Sequence, residues 1–219
     1  KNAIIGTSSA RRKAQIKALR PDITIKDIRG NVPTRVDKLR SGDFDAILLA
    51  NAGVTRLQLD LSDLYEQVLD PTLFIPAPAQ GVLAYQTRED DAELIEIIQD
   101  LHHDNVKSAI DIERGILSGF GGGCHIPIGV YAEPHDDGFT VRASFSKEWE
   151  HFSKRVRFEA TDKADALSKF QYLKEQASPK SVFVSRDLGA DSYLKRGCDR
   201  FQIELETKSL ITTQAVSAN

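Results

Sequence analysis

The chain has no methionine, one tryptophan and only two cysteines among its 219 residues. Methionine is missing even at position 1, and the first six residues already have the pattern of a strand with no lead-in. This points to an excised piece of a longer protein whose upstream part is missing. Cys124 and Cys198 lie far apart and form no C-x-x-C pattern, which excludes a disulfide framework and favours a reducing, cytoplasmic setting. There is no basic excess: the formal net charge is −3, which excludes a general nucleic-acid binder. No apolar run approaches the roughly 18 residues of a membrane span. Lys1-Asn2-Ala3-Ile4-Ile5-Gly6 has no h-region and no cleavage site of a signal peptide. The five histidines include the pair His102-His103, but no H-E-x-x-H or Cys/His cluster, so no metal is expected. Neither G-x-x-x-x-G-K-[ST] nor G-x-G-x-x-G occurs, which removes the two common phosphate-cradling loops.

What the sequence does contain is a β-α-β-α-β-α rhythm over its first 60 residues. Ala3 to Gly6 is a short apolar run, and Ser8 or Ser9 is placed to cap a helix from Ala10 to Leu19. Ile23 to Ile28 alternates as a strand, and Val32 to Leu39 has helical spacing. Ala46 to Ala50 is a continuous apolar run of the kind buried on both faces of a parallel sheet, and Val54 to Leu59 is helix-like. The rhythm predicts an open α/β domain over residues 1–80. Leu73 to Gln80, with Pro76 and Pro78 inside it and Pro71 just before, should be a rigid extended crossing. Residues 81–103 hold a predicted strand, Val82 to Tyr85, and a helix, Asp91 to Leu101. Residues 104–177 read as a helix (Asn105 to Leu117), three antiparallel strands (Ile126 to Ala132, Phe139 to Phe145, Ser153 to Glu159) and a helix (Lys163 to Gln176), a small α+β domain. Ala177-Ser178-Pro179-Lys180 is a linker. Beyond it, 181–219 has a strand (Ser181 to Ser185), a helix (Ala190 to Gly197) and a frayed end (Thr212 to Asn219), too little to bury a core alone.

Two features carry chemistry. The first is the set of arginines at predicted strand ends: Arg11 and Arg12 on the helix after Gly6-Thr7-Ser8-Ser9, Arg29 after the second strand, Arg35 on the next helix, and Arg56 after the third strand. Loops after strand C-termini converge on one crevice in an open α/β sheet. A helix N-terminus there is an anion site, and arginine captures carboxylates in bidentate fashion. The set therefore predicts a ligand with many carboxylates. The second feature is Gly121-Gly122-Gly123-Cys124-His125-Ile126-Pro127-Ile128-Gly129. Glycines on one side of Cys124 leave its thiol uncovered, as an attachment point or nucleophile requires. A tight turn with an incidental buried thiol is the bland alternative.

Together the motifs resemble one family. Gly6-Thr7-Ser8-Ser9-Ala10-Arg11-Arg12, Arg29-Gly30-Asn31-Val32-Pro33-Thr34-Arg35, Asp45-Ala46-Ile47-Leu48-Leu49-Ala50 with Ala52-Gly53-Val54-Thr55-Arg56-Leu57, Pro78-Ala79-Gln80-Gly81, and Gly122-Gly123-Cys124-His125-Ile126-Pro127-Ile128-Gly129 are similar, in order and spacing, to hydroxymethylbilane synthase (porphobilinogen deaminase). The resemblance spans about residues 3 to 177. It implies a periplasmic-binding-protein-like α/β domain followed by the α+β domain with its three-stranded antiparallel sheet. It also implies a monomeric cytoplasmic transferase of haem biosynthesis that joins four porphobilinogen units and releases ammonia at each addition. It implies a dipyrromethane cofactor bound through a thioether to Cys124, with Thr7, Ser9, Arg11, Arg12 and Arg35 around the cofactor and Arg29, Arg35 and Arg56 around substrate.

Departures from the family pattern accompany it. The family's catalytic aspartate lies in a motif like His-Ser-x-Lys-Asp-x-Pro in the first domain, and no such motif occurs in this chain. That implies the second and third domains, with 81–103 returning to a missing first one. Pro33 stands where a smaller or polar residue is common, and Gly121 where an acidic one is. The tail from Ser181 resembles the start of uroporphyrinogen-III synthase, implying a fusion of consecutive enzymes.

Two other classes compete. A non-catalytic anion-binding α/β module explains the arginines but gives the Gly-Gly-Cys loop no role. A cysteine hydrolase using Cys124 and His125 is disfavoured, because adjacent residues rarely aim at each other as nucleophile and base must.

Overall fold

The structure is a computed structural model and describes residues 2–121, 126–151, 153–176, 181–185, 188–189, 192–201 and 204–208. The chain divides into two compact units, 1–171 and 172–219. The sequence-stated linker 177–180, the loop residues 122–125 and the end from Thr212 lie outside the described residues.

The first unit begins with three short parallel strands, β1 (Ile4–Gly6), β2 (Thr24–Lys26) and β3 (Ala46–Ile47), in the order β2-β1-β3. Helices α1 (Ala10–Leu19), α2 (Val32–Arg40) and α3 (Asn51–Leu57) follow them in turn. The helix starts are fixed by side chains. Ser9 Oγ accepts from the Arg12 N–H at 3.4 Å, and Asn31 Oδ1 accepts from the Thr34 N–H at 2.9 Å. Pro33 falls in the first turn of α2, where a missing N–H leaves no hydrogen bond unmade.

Several expectations are corrected at their edges. The run 46–50 forms only a two-residue strand, and its residues are exposed or half-buried rather than enclosed. Among the described residues β3 pairs only with β1, so one of its edges has no strand beside it. The helix expected from Val54 starts at Asn51 and stops where Gln58 turns left-handed at φ 47°. Val82 to Tyr85 is not a strand: it runs irregularly, with Val82, Leu83 and Tyr85 exposed, so no core face specifies a pleat there. Helix α4 (Ala92–Gln99) forms as expected but buries no side chain.

The α+β part is built from α5 (Asp104–Ser118), strands β4 (Ile128–His135), β5 (Gly138–Phe145) and β6 (Lys154–Ala160), and α6 (Lys163–Glu175). The sheet is antiparallel in the order β4-β5-β6. Ile112 and Ile116 of α5 meet Val130, Val141, Ala143 and Phe145 of the sheet and Phe170 of α6 in one apolar core. Phe120, Phe145 and Phe170 form a tilted aromatic triad with centroids 5.4–5.8 Å apart. Each such side chain contributes about 1.5–3 kcal/mol by leaving water.

Strand β4 is covered on both faces at its start, and Gly129 is the reason it can be. A Cβ on Gly129 would lie 2.7 Å from the Ile75 carbonyl oxygen, closer than atoms pack. Without one, the Val130 N–H donates to the Pro76 carbonyl at 3.0 Å and β4 lies directly on the 71–80 crossing. Arg155 of β6 adds donors to the carbonyls of Thr72 and Leu73 at 3.1 and 2.8 Å.

In the second unit, β7 (Ser181–Val184) and β8 (Glu204–Thr207) pair in parallel around α7 (Tyr193–Phe201), with Cys198 buried. The strand and helix expected for the tail are present, the helix displaced by a few residues, and a second strand follows it.

Candidate functional site

In a parallel sheet of order β2-β1-β3, the connection from β1 to β2 and that from β2 to β3 run in opposite directions, and a crevice opens beyond the carboxyl ends of β1 and β3. The loop after β1 carries Thr7, Ser8 and Ser9. Thr7 is buried: its N–H donates to the Lys26 carbonyl at 2.9 Å, and its Oγ1 accepts from the Ser9 N–H at 3.3 Å. Ser8 Oγ donates to the Ile28 carbonyl at 2.8 Å and accepts from the Ile28 N–H at 3.1 Å. That double contact fixes the point from which Arg29 departs, a role the sequence did not disclose beyond marking Ser8 as a possible cap.

Arg12 reaches across the crevice. Its Nη1 donates to the Leu48 carbonyl, just past β3, at 2.7 Å. Arg35, at the second turn of α2, donates from Nε to the Gly30 carbonyl at 2.7 Å. Burial, and then the nearby Arg35 charge, pull the Arg12 guanidinium below its usual range. Two like charges are thus held close together, and among the described residues no carboxylate pairs with either. A guanidinium has five N–H donors, so most of those on Arg12 and Arg35 remain open.

Arg11 is spent differently. It is buried, with Nη1 donating to the Ile75 carbonyl at 2.6 Å and Nη2 to Gln80 Oε1 at 3.0 Å. Burial, with Arg12 as a smaller cause, lowers its pKa to about 10, so it stays charged at neutral pH. Gln15 completes the contact, since its Nε2 donates to the Ile75 carbonyl and its Oε1 accepts from the Ile75 N–H, both at 2.8 Å. Arg29 and Arg56 are exposed, and among the described residues no hydrogen bond or ion pair engages either guanidinium. The structure therefore leaves Arg12 within electrostatic reach of Arg35, turns Arg11 toward the crossing, and leaves Arg29 and Arg56 exposed. Cys124 and His125 lie outside the described residues.

A cavity of about 240 Å³ is lined by Arg11, Arg12, Leu48, Asn51, Phe74 and Gln80 among others. Tyr65, almost fully exposed, stands on its rim. A second cavity of about 400 Å³ is walled by Val82, Ala109, Ile110, Tyr131 and Pro134, with Glu113 in its lining. Gln15, Gln80 and Glu113 are the residues that sequence reasoning did not single out for a role. Their partners lie up to 60 or more positions away, beyond any local pattern. Glu113 did carry a signal: it sits in register with Ala109 and Ile116 on the apolar stripe of α5, where a charged residue is out of place. Among the described residues no group of acids, histidines and cysteines is arranged to hold a metal ion, and no helix is long and apolar enough to cross a membrane.

Comparison with known proteins gives one family twice. Residues 1–96 match the model described as "Porphobilinogen deaminase, dipyromethane cofactor binding domain", and residues 108–169 match "Porphobilinogen deaminase, C-terminal domain". Together these spans take in most of the chain. Curated relatives carry the same name. The porphobilinogen deaminase of Thermus thermophilus is 47% identical over 136 residues, 62% of this chain and 44% of the relative. That of Streptococcus sanguinis is 40% identical over 149 residues, 68% and 49%. That of Fusobacterium nucleatum is 43% identical over 146 residues, 67% and 48%. The chain spans about half the length of the curated relatives it matches.

Proposed function

The chain belongs to the porphobilinogen deaminase family, and from that premise we propose that it is the cofactor- and substrate-holding part of a hydroxymethylbilane synthase. The reaction joins four porphobilinogen units into a linear tetrapyrrole, forming one carbon–carbon bond and releasing one ammonia at each addition. The observation that carries this reading is the Arg12–Arg35 pair at the β1/β3 crevice. Two neighbouring guanidiniums with open donors and no protein carboxylate suit a ligand that brings acetate and propionate groups of its own.

The same chemistry is the test of fit for a dipyrromethane cofactor, whose two pyrroles carry such groups, and these residues pass it. Arg12 and Arg35 would hold cofactor carboxylates, with Ser9 and Thr7 shaping the loop and Arg11 bracing the wall. Arg29, just past β2, and Arg56, in the last turn of α3, are exposed and would receive substrate carboxylates, with Arg35 shared between the two. Cys124 would hold the cofactor through a thioether. When bound, the cofactor supplies the pyrrole carbon to which the first substrate unit is joined. The chain's own residues orient the anionic groups and offset their charge. The family's catalytic aspartate motif has no counterpart in this sequence, so chemistry on the leaving amine is assigned to a part of the protein outside this chain.

The reading includes a periplasmic-binding-protein-like α/β domain over 1–80, a segment 81–103 returning to a first domain, and the cysteine-bearing domain over 104–177. It also includes a tail from 178 that begins a fused uroporphyrinogen-III synthase, in a monomeric cytoplasmic enzyme. Porphobilinogen turnover by the complete protein tests it. Cys124→Ala should abolish formation of the linear tetrapyrrole. Retained turnover in that variant would overturn this reading, whereas reversible ligand binding without turnover and an unmodified thiol in the unsubstituted protein would favour the other one, an anion-binding module.

A further inference from the structure

Glu113 is the only buried acid among the described residues, and it faces no cation. Its Oε2 accepts from the Ala79 N–H at 2.6 Å and its Oε1 from the Ala132 N–H at 3.0 Å. One side chain of α5 therefore holds both strand β4 and the 71–80 crossing. The residue it holds is unusual: Ala79 has φ 58°, in the left-handed region that an L side chain rarely adopts. A turn of that kind persists only where its surroundings impose it. The next residue is Gln80, whose Oε1 accepts from Arg11 Nη2 at 3.0 Å. Arg11 in turn lies beside Arg12 in the wall of the 240 Å³ cavity.

We propose that Glu113 is a positioning residue for the arginine site, acting through the left-handed turn at Ala79 and the amide of Gln80 to set Arg11 and the cavity wall beside Arg12. The proposal deepens the reading of this crevice as a carboxylate site and rests on it. Without the Glu113 bond the Ala79 N–H has no acceptor, the turn relaxes toward negative φ, and Gln80 swings away from Arg11. Arg11 then keeps only the Ile75 carbonyl.

The test uses the ¹⁵N-labelled 219-residue chain, reading the Arg11 side-chain Nε–Hε signal and the affinity for porphobilinogen. In Glu113→Gln an amide NH₂ faces one of the two backbone donors, so the Arg11 signal should move and the affinity should fall about tenfold. Gln80→Ala cuts the chain of contacts one step later and leaves Glu113 untouched. It should reproduce both effects without lowering the unfolding midpoint of the α+β core. Gln80→Glu keeps an oxygen for Arg11 and should hold Arg11 in place, with its Nε–Hε signal not released as in Gln80→Ala. An unmoved Arg11 signal with unchanged affinity in Glu113→Gln overturns the proposal. So does a loss in Glu113→Gln that Gln80→Ala does not share, because Glu113 would then act on folding alone. If Arg11 moves in both variants but the unmodified chain does not bind porphobilinogen, the positioning role stands and the carboxylate-site reading falls.

Discussion

Residues 2–80 and 104–171 are held together by different physics. The α+β part rests on a continuous apolar core, with Ile112, Val130, Val141, Ala143 and Ala166 essentially without exposure. The α/β part has short strands, a half-buried edge and an interior that includes Thr7, Arg11 and Gln15. Its order depends on side-chain bonds to backbone groups: Ser8 to Ile28, and Arg11 and Gln15 to Ile75. Buried polar groups of this kind add little net stability when satisfied and cost much when one partner is lost. The difference teaches a division of labour. One region supplies a rigid body, and the other spends its interior on placing charge.

The sharpest way to break that comparison is Phe170→Ala. It removes one ring of the aromatic triad and should cost about 3–5 kcal/mol of stability, measured by urea unfolding with the fluorescence of the sole tryptophan, Trp149. Arg12→Ala should do the reverse. It should weaken porphobilinogen binding by about 1.5–3 kcal/mol, the value of charge-assisted hydrogen bonds, with the urea midpoint little changed. Equal effects of both substitutions on both readouts would erase the distinction. Gly129→Ala probes the seam between the regions. The new methyl meets the Ile75 and Pro76 carbonyls and Arg11 Cδ. It should cost about 1–3 kcal/mol by overpacking and also perturb binding, because it pushes on Arg11.

The smallest effect concerns pH. Burial raises the Glu113 pKa above its ordinary 4.5, while the N–H groups of Ala79 and Ala132 pull it down in part. An acid whose folded pKa is raised binds its proton longer in the folded state than in the unfolded one. Stability is therefore lost as pH rises from about 4.5 through the raised folded value, and is level above it. Glu113→Gln should remove that slope. A pH series of urea midpoints for the two proteins checks it, and parallel curves would contradict it.

Much of the fold was legible because local rules wrote it. Ser9 caps α1 where a cap is expected, the strand-helix rhythm of 3–59 survives, and β4 and β5 close as an antiparallel hairpin at Asp136-Asp137 with Gly138 at φ 135°. Val82 to Tyr85 was misread because an apolar run alone does not make a strand. A pleat needs a partner edge and a covered face, and this segment has neither among the described residues. The site was legible as a set of arginines but not as an arrangement. Spacing placed all five at strand ends. It could not show that Arg11 bonds a backbone carbonyl 64 residues away while Arg12 bonds the Leu48 carbonyl and Arg35 the Gly30 carbonyl. Gly129 stood out in the motif for its place near Cys124, yet its work is to let β4 touch the crossing.

The most direct test of the functional account is peptide mass spectrometry of the complete protein around Cys124, with and without a thiol-alkylating reagent. The account predicts a peptide heavier by two linked pyrroles and resistant to alkylation. A bare, fully alkylated Cys124 in a preparation that turns over porphobilinogen would contradict it.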